Sequence, residues 1–593
     1  MTAVELDCPE TSTESAAPRP RPRLWAQRLW REIFFATIIA GTVTLCLSPL
    51  RRAGWPRNHE ALHFANRTAV YADHFRHGDL LPVWSSLNAF HMGTPFPLFY
   101  HKTFYFVSAS LYLVLGAMKL SIVLAIAVFM FAGAYGMRAA THELTGRRLL
   151  AFSAPVVLLL ANYTFTDWLI RGAMAELTAM MLVPWLLWWC LRLVRRGTWS
   201  WWIVPIYFLL FNAHNALTMY ATVPLAIAGT VFLVKERRRG LAAVWRPALL
   251  SAGGIVVLLV PLFVVQWGFL DDYNPGKVTQ AGYKASERFR EFSTYFVNSD
   301  FRWLRDAHKF TTQIDYGIWL PLALFVVAGA AAVALRHRPA MSVVGRVMFS
   351  PAGAFLVVTA TVMLMLQCSF TRPLYQAVSI LEFLQFPWRL LAFITPLGIL
   401  LVAHVAGNLR VLGRRVMLVL ALCWVATFAV LSPLHHDFQY NFYPQQRIDL
   451  ATAPSPTAAN MGIGEYLPRV AVDGHEMPSV EVMAAYEAMY TKRRQTEVIR
   501  GSCTIRALRR TSLDPRTLSY RIACTQPSTV ALPISYSRFH RVRVKAAGEA
   551  AVRTFRDRSD PRLMVDLPGR DGMLVVVRLP SMASVLRQLL IPR

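Results

Sequence analysis

Apolar runs long enough to cross a bilayer recur along the chain, near residues 32–50, 120–140, 148–165, 176–194, 200–216, 217–234, 246–267, 318–335, 350–367, 390–408 and 415–433. A helix needs about 20 mostly apolar residues to span the hydrocarbon layer, so hydropathy predicts a polytopic α-helical membrane protein with about eleven spans. One more apolar stretch, 103–118, is predicted not to cross, because a crossing there would move Arg147/Arg148 and Arg195/Arg196 to the outer face. It is expected to be a juxtamembrane or re-entrant helix, which is tolerated where protein covers it. From about residue 434 the pattern changes. Apolar runs shorten, Pro and Gly punctuate them, and "LSYRIAC", "HRVRVKA" and "MLVVVRL" alternate or run as strands do. A small β-rich domain outside the membrane is therefore expected over 434–593, ending in a surface helix at "SMASVLRQLLIPR".

Composition agrees. Of 593 residues, 55% are hydrophobic and 16% charged, and the mean hydropathy is +0.37, which excludes an ordinary soluble globular protein. The formal charge of +28 would suggest nucleic acid if it clustered on a soluble module, but most basic residues mark the ends of apolar runs. Arg19, Arg21, Arg23, Arg28 and Arg31 precede the first run, and Arg147/Arg148, Arg192/Arg195/Arg196, Lys235/Arg237/Arg238/Arg239, Arg336/Arg338 and Arg410/Arg414/Arg415 occupy short loops. The positive-inside rule makes all of these cytoplasmic. That threading predicts a cytoplasmic basic segment 1–31, a transmembrane domain 32–433 with a large first external loop 51–119, and further external segments 166–175, 268–317 and 368–389. The expected location is the inner (plasma) membrane, multi-pass, with the N-terminus cytoplasmic and no cleavable signal. Of seven cysteines, Cys46, Cys190 and Cys423 fall in apolar runs. Cys503 and Cys524 lie in the exported part, where oxidation is permitted, and form a disulfide candidate whose geometry the sequence cannot supply.

The outer segments hold the chemistry. "NHEALHFANRTAVYADHFRHGDLLPVWSSLNAFHMGTPFPLFYHK" carries Glu60, Asp73, Asp79 and six histidines. Glu60 and His63 share a face if the segment is helical, and a carboxylate beside an imidazole is a workable general-base arrangement. A solvated amphipathic helix on the membrane surface fits the same residues. His59, His63, His74, His77, His91 and His101 match no zinc spacing, so hydrogen-bonding or surface roles are expected and no metal is assigned. "TDWLIRGAMAEL" sets Asp167, Arg171 and Glu176 between two apolar runs. Intramembrane ionisable residues are functional candidates, and a structural Asp–Arg–Glu network is the equally physical alternative. His214 in "NAHNAL", Asp271/Asp272 in "LDDY", and Glu382 and Arg389 in "EFLQFPWRLL" fall at the same level. A lone His or Arg at a helix end usually snorkels or caps. Here Glu60, Asp167, Arg171, His214 and Arg389, from separate segments, can share one external face, where carboxylates serve as bases and guanidinium forks suit phosphate. Such a face fits an enzyme acting on a lipid-linked phosphate.

Several motifs carry a resemblance: Gly78-Asp79-Leu80-Leu81-Pro82-Val83-Trp84, Gly93-Thr94-Pro95 followed by Phe99-Tyr100, Arg171-Gly172-Ala173-Met174-Ala175-Glu176, Gln385-Phe386-Pro387-Trp388-Arg389, and Glu465-Tyr466-Leu467-Pro468. On these the chain resembles the polytopic membrane family labelled 6-pyruvoyl-tetrahydropterin-synthase-related, itself similar to integral-membrane glycosyltransferases of the GT-C class. Pterin chemistry is rejected, since no zinc-binding histidine set is present. The resemblance implies a GT-C-like fold, a first external loop bearing the catalytic acid, a juxtamembrane helix after it, and a polyprenyl-phosphate-sugar donor. The acidic position is Glu60, where relatives more often carry Asp, and Asp167 is the second candidate. The expected site therefore has Glu60, Asp167 and His63 as catalytic residues and Arg171, Glu176, His214, Arg389, Trp84 and Tyr100 as substrate-binding residues. No cofactor is assigned. The expected partners are the membrane, a lipid-linked sugar phosphate and an envelope glycan or lipid acceptor. A non-catalytic transporter or assembly factor for envelope polysaccharide, or a scaffold that has lost catalysis, are the competing expectations.

Overall fold

The computed structural model describes residues 22–51, 54–58, 60, 63–273, 284–296, 312–336, 338–409 and 413–431, and then 442–444, 446, 448–449, 467, 469, 471–472, 475–476, 479–492, 496–507, 517–546, 548–557 and 559–590. His59, Glu465, Tyr466 and Pro468 lie outside the described residues. The chain is a polytopic helical membrane protein with a C-terminal β domain.

Seven helices among the described residues are long and apolar enough to cross a bilayer: Trp25–Cys46, Met118–Thr145, Met174–Arg196, Asn215–Glu236, Val244–Phe269, Tyr316–Ala334 and Pro387–Asn408. Two bent pairs, Arg148–Leu160 with Asn162–Arg171 (42°) and Met341–Phe349 with Pro351–Met365 (71°), raise the number to nine if each is one span. The run at 200–216 forms only the 11-residue helix Ile203–Ala213, about 17 Å long at 1.5 Å per residue and well short of the hydrocarbon layer. The run at 415–433 forms the 18-residue helix Arg414–Leu431, where the described part of that run ends. Thr103–Leu115, with 13 residues, is also below spanning length and stops at Gly116 in the left-handed region.

Burial separates central from peripheral spans. Met174–Arg196 and Pro387–Asn408 have 83% and 78% of their apolar windows buried, against 22–39% for Trp25–Cys46, Asn215–Glu236, Val244–Phe269 and Tyr316–Ala334. Met118–Thr145 packs along Met174–Arg196 at close range, because Gly133 has no side chain: a Cβ there would lie 2.5 Å from Met181 Sδ. Small residues at such contacts let helices approach closely where lipid supplies no hydrophobic drive.

The β domain is a sandwich. One sheet runs Gly548–Ala551, Arg541–Ala546, Met573–Arg578, Thr517–Cys524, Cys503–Ala507, and the other runs Thr554–Phe555, Arg562–Leu567, Ser528–Ser535, Glu497–Arg500. All pairings are antiparallel. Alternating inward residues such as Ile522, Val530, Leu532, Leu563, Val565, Val575 and Val577 fill the space between the sheets. Cys503 and Cys524 face each other across one pairing and are joined as a disulfide.

This domain is seated on the bundle. Val83, Trp84 and Leu98 of the first loop and Leu262, Val265, Phe269 and Tyr273 of a span belong to the same apolar core as the sandwich. Polar contacts close the seam: Tyr273 donates to Tyr536 O at 2.7 Å, and Arg538 pairs with Asp271 at 2.7 Å while its N–H donates to Asp272 at 3.0 Å. Helix Met582–Leu590 lays Leu589 beside Gly268 and Phe539. Trp84 must accordingly be withdrawn from the substrate-binding set: it is 1% exposed, edge-on to His540 (4.8 Å between ring centres) and Tyr273 (6.1 Å). Its large apolar ring secures the domain seam.

Candidate active site

The site grows from the two central spans and one short distorted turn. After Pro155 and the break at Ala161, the chain re-forms as Asn162–Phe165 and widens into a π-helical turn, Thr166–Arg171, in which every residue is buried. Such turns redirect side chains and often occur at functional sites. The turn stops at Gly172, with φ +68°, where a Cβ would also meet Asn58 Oδ1 at 2.5 Å. Both the backbone conformation and the close approach of Asn58 therefore require glycine. Met174–Arg196 then begins and brings in Glu176 within its first turn.

Two carboxylates and two guanidiniums interlock here. Arg171 Nη1 pairs with Asp167 Oδ1 at 2.8 Å and Glu176 Oε2 at 2.7 Å, and Arg389 Nε approaches Glu176 Oε2 at 3.2 Å. Tyr163 donates its hydroxyl to Glu176 Oε1. Asp167 and Glu176 are 0% and 1% exposed. Arg171 also stacks over Trp388 (4.6 Å to the ring centre), and Arg389 Nη1 donates to Leu384 O and Gln385 Oε1 at 3.1 and 2.9 Å. Gln385 takes φ +65° to make the corner before the Phe386–Arg389 turn. Buried ions need this degree of pairing, because a lone charge out of water is penalised by several kcal/mol.

The first long loop closes over this network. Glu60 N donates to Arg171 O at 2.9 Å, and Glu60 Oε2 pairs with Arg67 Nη1 at 2.9 Å. Arg67 lies over the Tyr100 ring at 3.8 Å and donates to Tyr105 Oη at 3.3 Å. Glu60 keeps 34% of its side chain exposed, while Arg67 keeps 8%. Burial raises the Glu60 carboxyl, but Arg67 foremost, with Arg171, holds it below the ordinary range, so it is ionised at neutral pH. His63, on the next helical turn, is pushed down to about 4 by burial and by Arg67, and is neutral. Its Nδ1 is buried with no hydrogen-bond partner among the described residues, as are both amide atoms of Asn58 and Asp167 Oδ2.

A third group joins from the side. His101 and His214 stack with ring centres 4.3 Å apart and planes 22° off parallel. Lys102 anchors the loop to Ile203–Ala213 through its N–H to Asn212 O (2.6 Å), and its Nζ donates to Leu98 O (2.8 Å) and Tyr100 O (3.1 Å). Burial pulls the Lys102 ammonium down to about 7. His101 is driven well below its usual value by burial and then by His214, Lys102, Arg389 and Arg67, which places all of these within electrostatic range of one another. Guanidiniums Arg67, Arg171 and Arg389 balance Glu60, Asp167 and Glu176, and Lys102 adds a further cation when it is protonated, below about pH 7. The site is therefore disposed to take an anion.

Of the residues named from sequence, Glu60, His63, Asp167, Arg171, Glu176, His214, Arg389 and Tyr100 gather here, and Trp84 does not. Asp271 and Asp272 serve the β-domain seam, and Glu382 accepts from Ser286 N at 2.9 Å. Among the described residues no group of three His, Cys, Asp or Glu side chains is arranged to hold a metal ion. His74 instead pairs with Asp79 at 2.9 Å and His77 with Asp73 O at 2.8 Å. Sequence reasoning missed Arg67, Lys102, Tyr163 and Asn58. Arg67 carried a usable signal, four residues after His63 on the same helical face. The others become visible only through contacts between separate segments.

No protein-family model matches the chain, and no curated protein matches it. Among solved structures it is similar to an oligosaccharyltransferase of Archaeoglobus fulgidus, crystallised with a tethered acceptor peptide, at 9% identity and a TM-score of 0.39. The match covers 72% of this chain and 56% of that one, so the chain spans little more than half of that protein's length.

Proposed function

We propose that the protein is a membrane glycosyltransferase of GT-C kind, which moves a sugar from a polyprenyl-phosphate donor to an envelope glycan or lipid acceptor on the extracytoplasmic face. The observation that carries this reading is the partly exposed carboxylate of the site, Glu60, set at the mouth of a buried guanidinium cluster with Lys102 beside it. The acceptor hydroxyl oxygen attacks the anomeric carbon, the bond from that carbon to the phosphate oxygen breaks, and the hydroxyl proton passes to Glu60. Arg67, Lys102 and the exposed edge of Arg389 face the departing phosphate, where preorganised charge supplies much of the rate. A carboxylate held below its ordinary range is a weak base, so proton transfer belongs late, after the attacking oxygen has become acidic. Asp167 suits the base role less well, because it has no exposure and its Oδ1 is committed to Arg171.

Glu60→Gln keeps the shape and removes the base. In proteoliposomes supplied with labelled polyprenyl-phosphate sugars it should lower transfer by about a hundredfold or more, with the unfolding midpoint of the wild type. Normal turnover by this variant would take Glu60 out of the mechanism. In a deletion strain, an envelope glycan lost without the protein but restored by Glu60→Gln would instead favour the non-catalytic transporter.

A further inference from the structure

At the opposite end of the bundle from the candidate active site lies a cavity of about 440 Å³. Arg195, Lys235 and Arg346 converge on it, together with Ser350, His404 and Asn408, and none of its lining residues is acidic. The nearest carboxylates are engaged elsewhere or at the edge. Glu143 takes Arg196 in a two-pronged pair at 2.7 and 2.6 Å, and Glu236 meets Lys235 at 3.3 Å. Arg195 makes no ion pair among the described residues, and Arg346 donates only to the neutral Ser342 hydroxyl at 2.8 Å. The 15-residue helix Pro351–Met365 starts at this cavity, its N-terminus capped by Ser350 Oγ accepting from Gly353 N at 3.1 Å. Its partial positive charge adds to that of the side chains. Ser350 Oγ also lies 3.4 Å from Nε2 of the buried His404, so the polar wall is held in place.

What flanks the cavity is apolar and turned outward. Val234, beside Lys235, is 72% exposed, and Phe349, between Arg346 and Ser350, is 82% exposed. The segment Met341–Phe349 meets the following span at 71°, as a helix lying along the membrane surface does. Fixed cations beside lipid-facing apolar side chains match a phosphate that carries acyl chains. The positive-inside rule puts this end at the cytoplasmic leaflet, whose surface is anionic.

We propose that this cavity seats the phosphate headgroup of an anionic phospholipid of that leaflet, with Arg195, Lys235 and Arg346 on the phosphate oxygens and Val234 and Phe349 against the acyl chains. Delipidated full-length protein in detergent, titrated with dioleoyl phosphatidylglycerol and followed by native mass spectrometry, should bind it saturably and bind dioleoyl phosphatidylcholine far more weakly. Arg195→Gln/Arg346→Gln should weaken phosphatidylglycerol binding about 30-fold, at roughly fivefold per cation removed. The charge-matched pair Arg28→Gln/Arg31→Gln, exposed on the first span and outside the cavity, should leave binding unchanged. Equal loss in the two double variants, equal binding of phosphatidylcholine, or displacement of the lipid by millimolar inorganic phosphate would each overturn the proposal, the last by making the ligand a soluble anion. Should Arg195→Gln/Arg346→Gln fail to fold, Lys235→Gln serves with the same outcomes.

Discussion

Arg171→Met removes the cation that two buried carboxylates share while nearly preserving side-chain volume. Arg389 still reaches Glu176 at 3.2 Å, so the carboxylate left alone is Asp167, at 0% exposure. Breaking a buried pair in this way costs about 3–5 kcal/mol. Losing the stacking of Arg171 on Trp388, at 4.6 Å, accounts for about 1–2 kcal/mol of that. The remainder, about 1–4 kcal/mol, is the stranded charge, and a second substitution, Asp167→Asn, should recover it because an amide in that place needs no counter-ion. SDS-driven unfolding in mixed micelles, followed by tryptophan fluorescence, measures all four members of the cycle. The expected coupling is about 2 kcal/mol, with the double variant more stable than Arg171→Met alone. An unchanged midpoint in Arg171→Met, or a double variant no better than the single one, would refute the view that the network is held by charge compensation. If Arg171→Met does not accumulate, recovery of folded protein in the double variant reads the same coupling.

Lys102, pulled down to about 7 by burial, should make binding of an anion pH-dependent. Below pH 7 it is protonated with or without ligand and there is no slope. Above it, binding a prenyl phosphodiester takes up a proton, so affinity falls by up to about tenfold per pH unit, and Lys102→Met should abolish the slope in calorimetric titrations. Without ligand the same depression makes folding more favourable as pH rises from about 7 towards the ordinary 10.5, since only the unfolded lysine holds its proton there. Gly172→Ala forces a side chain onto φ +68° and into Asn58, and should lower stability by about 1–3 kcal/mol in the same unfolding assay. Cys503→Ser/Cys524→Ser opens a loop with a sequence separation of 21 and should destabilise the β domain by about 3 kcal/mol, seen as earlier protease cleavage of that domain than of the wild type.

The legible part of the fold was the part that depends on local pattern. Apolar length announced each long span. Alternation announced strands such as Thr517–Cys524 and Met573–Arg578. Where local pattern misled, a break inside an apolar run was the reason. His214, in extended conformation, divides Ile203–Ala213 from Asn215–Tyr220, close to the boundary between the runs 200–216 and 217–234, but the run before it forms a helix of only 11 residues. Trp84 shows a different limit: a tryptophan in a long polar loop has the chemistry of a sugar platform, but the β domain folds back and covers it.

Sequence by itself determined which residues are costly to keep where they are. Asp167, Arg171, Glu176 and Arg389 stand at the edges of apolar runs, and an ion there demands a counterpart whatever the fold. Spacing could name one such counterpart, Arg171 for Asp167, because four residues on a helix are one turn apart. Tertiary structure alone decided the rest. It brought Arg389 from more than two hundred residues away onto Glu176, laid Arg67 over Tyr100 beside Glu60, and left Glu60 as the carboxylate with access to the outside. Periodicity describes one element at a time, whereas charge compensation in a low-dielectric interior is settled between elements, by which side chains the packing of helices brings within a few ångströms.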